Sequence, residues 1–152
     1  MAILLALLIG IVAGLRAMTA PAVVSWAAYL DWISLGDSWL WWLGHWVAVL
    51  IFTLLAMVEL VNDQRPSTPN RTVPVQFGAR IVMGALTGAA LGASGGMLIA
   101  GLVVGIVGAV VGTLGGKTVR AQLAASFGRD APAAFIEDAV AIVGAILIVL
   151  AA

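Results

Sequence analysis

Charge is what this chain has least of. Seven Lys+Arg and seven Asp+Glu make 9% of 152 residues, against roughly 25% in a soluble domain. So few charges cannot cover a surface in water. The two signs cancel to a net charge of zero, which excludes the basic field that draws a protein to nucleic acid and leaves no acidic tail. Cysteine is absent, so disulfides, thiolate metal sites and cysteine nucleophiles are excluded. There is one histidine, and no recognised metal-ligand spacing or nucleophile–base pair accompanies it. What the chain does have is apolar surface: 63% hydrophobic residues and a mean hydropathy of +1.16. It is built for a bilayer.

A helical span needs about 20 apolar residues, and the rare charges divide the chain into such lengths. Met1–Leu15 is charge-free up to Arg16, and Ala17–Leu30 is charge-free up to Asp31. Ser38–Val58 runs without charge to Glu59, and Ile81–Gly116 runs 36 residues without one. That last length suits two spans joined at Gly92-Ala-Ser-Gly-Gly96. The sequence therefore predicts an all-α, polytopic helical bundle in one domain, 1–152. About five spans are expected, at 2–29, 44–62, 78–93, 97–116 and 133–151, the first broken near Arg16–Pro21. Met1–Leu15 lacks the basic start and the cleavage site of a signal peptide, so it is expected to stay as part of the first span.

Orientation follows the loop cations. Arg65, Arg71 and Arg80 fall in or beside loop 63–77, and Lys117, Arg120 and Arg129 in loop 117–131. Both loops are expected in the cytoplasm of a bacterial inner-membrane protein, with the N-terminus inside and the C-terminus outside. Arg16 alone fits no loop. All six tryptophans lie between Trp26 and Trp46, together with Tyr29 and His45. Indole favours the headgroup layer, so this stretch reads as an outer anchor. An aromatic cage is the alternative. Trp39, Trp42 and Trp46 are spaced to share one helical face.

Eleven of 18 glycines lie between 81 and 116. Gly84, Gly88 and Gly92 step by four; Gly101, Gly105, Gly108 and Gly112 continue a stripe on the next span; Gly10 and Gly14 repeat the pattern in the first. Small residues let helix backbones approach in lipid, where apolar side chains gain little by association. The partner is either the same chain or a second copy, and a thin five-span bundle predicts a homo-oligomer, a dimer or trimer.

The polar residues left inside spans are the functional candidates. Arg16 lies roughly 22 Å along a helix from the N-terminus at about 1.5 Å per residue, where an unpaired charge is costly. Thr19 is a candidate N-cap for a helix restarted behind the break, and Pro21 removes a helical donor. Free N–H groups beside a guanidinium suit an anion or carboxylate. Glu59 and Asp63 share a helical face, while Glu137 and Asp138 diverge by about 100°. If Glu59, Asp63 and Glu137 converge they could hold a hard cation or relay protons. Pairing with arginines is the simpler outcome. The loop Asp63–Pro74, with Ser67, Thr68, Arg65 and Arg71, is either a lipid-phosphate contact or a gate. The pairs Gly14–Arg16 with Glu59, and Gly116–Lys117 with Glu137, hint at a weak inverted repeat.

Five motifs occur in order: Gly14-Leu-Arg-Ala-Met-Thr-Ala-Pro21, Glu59-Leu-Val-Asn-Asp63, Pro66-Ser-Thr-Pro69-Asn-Arg71-Thr72, Ala79-Arg80-Ile and Glu137-Asp138-Ala. On these the chain resembles an uncharacterised family of small bacterial integral membrane proteins, catalogued as domain of unknown function four-one-two-six. The family pattern has a lysine directly after the loop aspartate, where this chain has Gln64 and then Arg65. The resemblance implies a membrane protein and brings no activity with it. From the residues themselves the expectation is an oligomeric transporter or channel for an ion or small polar solute. Its site would comprise Arg16, Thr19, Glu59, Asp63, Arg71, Arg80, Glu137 and Asp138, with no cofactor and no enzymatic chemistry. A non-transporting structural, assembly or lipid-headgroup-binding protein is the alternative.

Overall fold

Each helix ends where the sequence supplies a physical reason. The computed structural model describes residues 1–65 and 70–152; Pro66, Ser67, Thr68 and Pro69, with the part of the loop motif they carry, lie outside the described residues. The helices are α1 (Ala2–Leu15), α2 (Thr19–Tyr29), α3 (Trp46–Asn62), α4 (Pro74–Ser94), α5 (Leu98–Phe127) and α6 (Asp130–Leu150), with a short 3-10 helix at Trp41–Gly44. No strand occurs among the described residues. Three helices, α4, α5 and α6, are long and apolar enough to cross a membrane, while α1 and α3 are shorter apolar helices. The fold is that of a helical membrane protein. Large apolar side chains such as Leu50, Leu54, Val103, Val107, Val143 and Leu147 point outward, the surface expected against acyl chains rather than water.

Two predicted boundaries move. The basic stretch after Lys117 is not a loop: α5 continues to Phe127 and stops only at Gly128, whose φ of 71° is left-handed. Lys117–Phe127 holds no glycine or proline, and charge alone does not end a helix. The 2–29 segment is two helices rather than one broken span. Thr19 does not cap the second of them, whose N-cap is Met18 with no side-chain hydrogen bond.

The tryptophans also depart from one helical face. Trp42 sits in the 3-10 helix, Trp46 opens α3, and Trp39 precedes both. Trp42 packs on Phe52 and Trp26 meets Tyr29 edge-on. Trp39, Trp41 and Trp46 are exposed, and Trp41 and Trp42 border an apolar pocket of about 370 Å³ together with His45 and Phe52. His45 caps α3, its Nδ1 accepting from the Val47 N–H at 3.3 Å.

The glycine ridges pack on one another within the chain. A Cβ on Gly84 would strike Gly105, one on Gly88 would strike Gly101 and Gly105, and one on Gly92 would strike Gly101. From the other side, Gly10 faces Gly105, Gly14 faces Ala109 and Gly112, and Gly108 faces Leu7 and Ile11. The stripe is therefore a three-helix seam of α1, α4 and α5. Gly115 meets nothing within 4 Å. Replacing it with alanine should raise stability by about 0.5–1 kcal/mol, seen as a higher thermal midpoint in detergent.

The same contacts fix direction. Ala2 lies against Gly95, Gly10 against Gly105 and Gly14 against Gly112, so α1 runs parallel to α5. The sequence places the N-terminus and the 92–96 turn on opposite sides of the bundle, whereas the structure puts them side by side. Parallel α1 and α5 also mean that Gly14–Arg16 and Gly116–Lys117 are not related by inversion. Had α2 extended α1, it would lie on the second half of α5. Instead α2 packs on α3, α6 and α4, and α5 is mostly exposed over 117–127. The chain turns at Arg16–Met18.

Candidate functional site

Three residues separate α1 from α2, and Arg16 among them is extended (φ −139°, ψ 108°). Such a break strips helical partners from the last carbonyls of one helix and the first N–H groups of the next. Both sets are satisfied by charged side chains from elsewhere. Arg80 of α4 donates Nη1 to the Gly14 and Leu15 carbonyls, each at 2.6 Å. Glu59 of α3 accepts the Ala17 N–H at 2.8 Å on one oxygen and the Met18 N–H at 2.9 Å on the other. A cation thus sits on the negative end of α1 and an anion at the start of α2, each matched to the helix dipole it meets.

Arg16 itself is fully buried. Its Nη1 donates to Asp63, the C-cap residue of α3, and its Nη2 to Asp138 of α6. Gln64 donates to the second Asp138 oxygen at 3.0 Å. Arg71, just ahead of α4, forks onto Glu137, its Nη2 at 2.9 Å from Oε2. Arg120 of α5 ties three acids together: Asp63 at 3.2 Å, Glu137 at 3.1 Å and Asp130 at 2.6 Å. Glu137 and Asp138 are adjacent in sequence, and their divergence on the helix is what sends one to Arg71 and the other to Arg16.

All the predicted site residues except Thr19 gather here. Thr19 is buried in the first turn of α2 and its hydroxyl finds no hydrogen-bond partner among the described residues. Arg120, Asp130 and Gln64 were not among the predicted site residues. The signal for Arg120 lay in Gly128, which marks where α5 turns and brings Asp130 back beside it. Glu59, Asp63 and Glu137 do not converge on a metal: among the described residues no group of three potential ligands is placed to hold one. They surround arginines and the broken backbone instead.

Two polar cavities open onto the cluster. One, of about 400 Å³, reaches Ala17, Met18, Glu59, Asn62 and Asp63. The other, of about 450 Å³, is bordered by Arg71, Arg80, Lys117, Arg120, Asp63 and Asp130 among others; Asp63, Arg65 and Gln76 line both.

The fold and this cluster define a class: helical membrane proteins with an ion-pair network at a helix break. The chain belongs to the family described as a domain of unknown function (DUF4126), whose model matches residues 3–152. No curated protein and no solved structure matches it.

Proposed function

We propose that the protein is a small bacterial inner-membrane transporter or channel for an ion or small polar solute, with the α1–α2 break as its polar site. The observation that carries this reading is the carboxylate of Glu59 seated on two consecutive N–H groups, at the wall of a cavity large enough for a small solute. Broken helices in transporters present such N–H groups to anionic solutes. Glu59 occupies the place a solute carboxylate or other small anion would take, and the neighbouring arginines supply counter-charge. The cations also share one end of the bundle: Arg16 now joins Arg71, Arg80 and Arg120. With the basic end in the cytoplasm, the end holding Ala2 and Gly95 faces outward. The tryptophans lie toward the far end of α3 from the cluster, about 25 Å away at the rise of an α-helix. Copies would assemble as a dimer or trimer through the exposed apolar faces, because the glycine ridges are occupied within the chain.

The test is thermal unfolding of the detergent-purified protein with magnesium, calcium, manganese, chloride, acetate and phosphate, for the wild type, Arg16→Ala and Glu59→Gln. A saturable rise in midpoint with one of these ions is the expected result. Glu59→Gln should shift that ion's affinity roughly tenfold (about 1.4 kcal/mol): tighter for an anion, which no longer competes with the Glu59 carboxylate for the two N–H groups, and weaker for a cation. A flat response to every ion, with two variants that only melt lower, would sink the transport reading. It would favour the second reading, a structural or assembly protein. That reading has its own support in the internal ion pairs that hold Arg16, Asp63, Arg71, Arg120, Asp130, Glu137 and Asp138.

A further inference from the structure

The cavity beside Lys117 holds more positive charge than its acids neutralise. Arg71 and Arg120 are committed to carboxylates, and Asp63 and Asp130 on the cavity wall are both bonded to Arg120. Arg80 and Lys117 are different. Among the described residues neither has a carboxylate oxygen within 4.0 Å. Arg80 is 2% exposed, bonds only to the two carbonyls of α1 and leaves its Nε without a partner. Lys117 has only the Thr72 hydroxyl at 3.4 Å. Two cations with no carboxylate in contact, facing one space, suit an anion with several oxygens, the chemistry of a phosphate group.

Next to this polar space runs an apolar groove of about 330 Å³ between α1, α5 and α6. Ile11, Leu15, Val111, Ile136 and Val140 form its walls, and Gly115 and Gly116 leave its floor without side chains. Arg120 lines both the groove and the polar cavity. Glu137, the acid at the groove's end, is already held by Arg71 and Arg120. A cation-rich pocket that shares Arg120 with an acyl-sized groove, at the end of membrane helices, has the two-part shape of one ligand.

We propose that these adjoining cavities hold a single acidic phospholipid, its phosphate at Arg80 and Lys117 and one acyl chain along the α1–α5–α6 groove. Basic pockets between membrane helices recognise anionic headgroups in this way. The site shares Arg80 with the α1–α2 break, and its test therefore uses residues away from that break, Lys117 and Gly115. The protein in a non-ionic detergent is titrated with phosphatidylglycerol, with phosphatidylcholine of the same chains, and with inorganic phosphate. Native mass spectrometry counts bound lipid and thermal unfolding reads stabilisation. Phosphatidylglycerol should bind one per chain and raise the midpoint, with phosphatidylcholine roughly tenfold or more weaker and Lys117→Gln costing phosphatidylglycerol about fivefold in affinity. Gly115→Leu should close the groove and abolish lipid retention without weakening its helix, since glycine is the poorer helix former. Equal retention of the two lipids, or undiminished phosphatidylglycerol binding by both variants, overturns the proposal. So does a midpoint rise with inorganic phosphate alone that Gly115→Leu leaves intact, which would assign the pocket to a soluble anion.

Discussion

Gly105→Ala should lower stability by roughly 3 kcal/mol, the upper end of the range for overpacking, and so cost more than alanine at any position away from the seam. Gly105 lies where the three seam helices cross. Its own Cβ would strike the Gly84 carbonyl and the Gly88 Cα, and its backbone is in turn what a Cβ on Gly10 would meet. The obstacle on both sides is main chain, which cannot rotate away as a side chain does. Relief requires α4 or α1 to shift, and each shift opens the other contacts of the ridge. Gly115→Ala is the matched control: the same added methyl in the same helix, with nothing within 4 Å. Thermal unfolding of the two variants should move the midpoint in opposite directions. A Gly105→Ala protein as stable as the wild type would mean that the seam is looser than its geometry.

Arg16→Met should be as damaging for a different reason, by about 3–5 kcal/mol, the cost of removing one partner from a buried ion pair. The loss does not lie in the apolar replacement itself. Asp63 and Asp138, with side chains only 13% and 12% exposed, would lose the guanidinium between them. Asp63 would retain Arg120, whereas Asp138 would retain only the amide of Gln64. Removing that stranded carboxyl group should therefore restore part of the stability: Arg16→Met with Asp138→Asn is expected to melt above Arg16→Met alone. A double-mutant cycle measures the coupling, and strict additivity would mean that the two residues do not interact.

The sequence exposed the seam and the break more fully than it exposed their surroundings. Gly84, Gly88 and Gly92 could be placed on one helix face from spacing alone, because helical periodicity is local. That they face Gly101 and Gly105 of the same chain depends on the direction of the turn at Gly95–Gly96, which spacing does not contain. At the break, Arg16 and Pro21 announced an interrupted helix. The natural local cap, Thr19, was the wrong one: α2 already begins at Thr19, Pro21 two residues on has no N–H to offer it, and the Ala22 N–H goes to the Met18 carbonyl. The separation of the N-terminus from the 92–96 turn failed for a related reason, since the two lie side by side. Counting spans assumes that every apolar length crosses the membrane alone, while α1 is only 14 residues long and the chain turns at Arg16. That turn brings Arg16 to the basic end, so the charge that fitted no loop is the one that marks the corner.

The partners of Arg16 also impose an order of events on synthesis. Asp63 follows it by 47 residues and Asp138 by 122. A ribosome adding about 5–20 residues per second reaches Asp138 roughly 6–24 s after Arg16. During that interval the guanidinium must stay at the membrane surface or be sheltered by the insertion machinery, and the corner between α1 and α2 can settle only after the last helix has entered. A nascent chain truncated before α6 would therefore carry an arginine still missing one of its two counter-charges, a distinct mark by which membrane quality control could separate unfinished copies from finished ones.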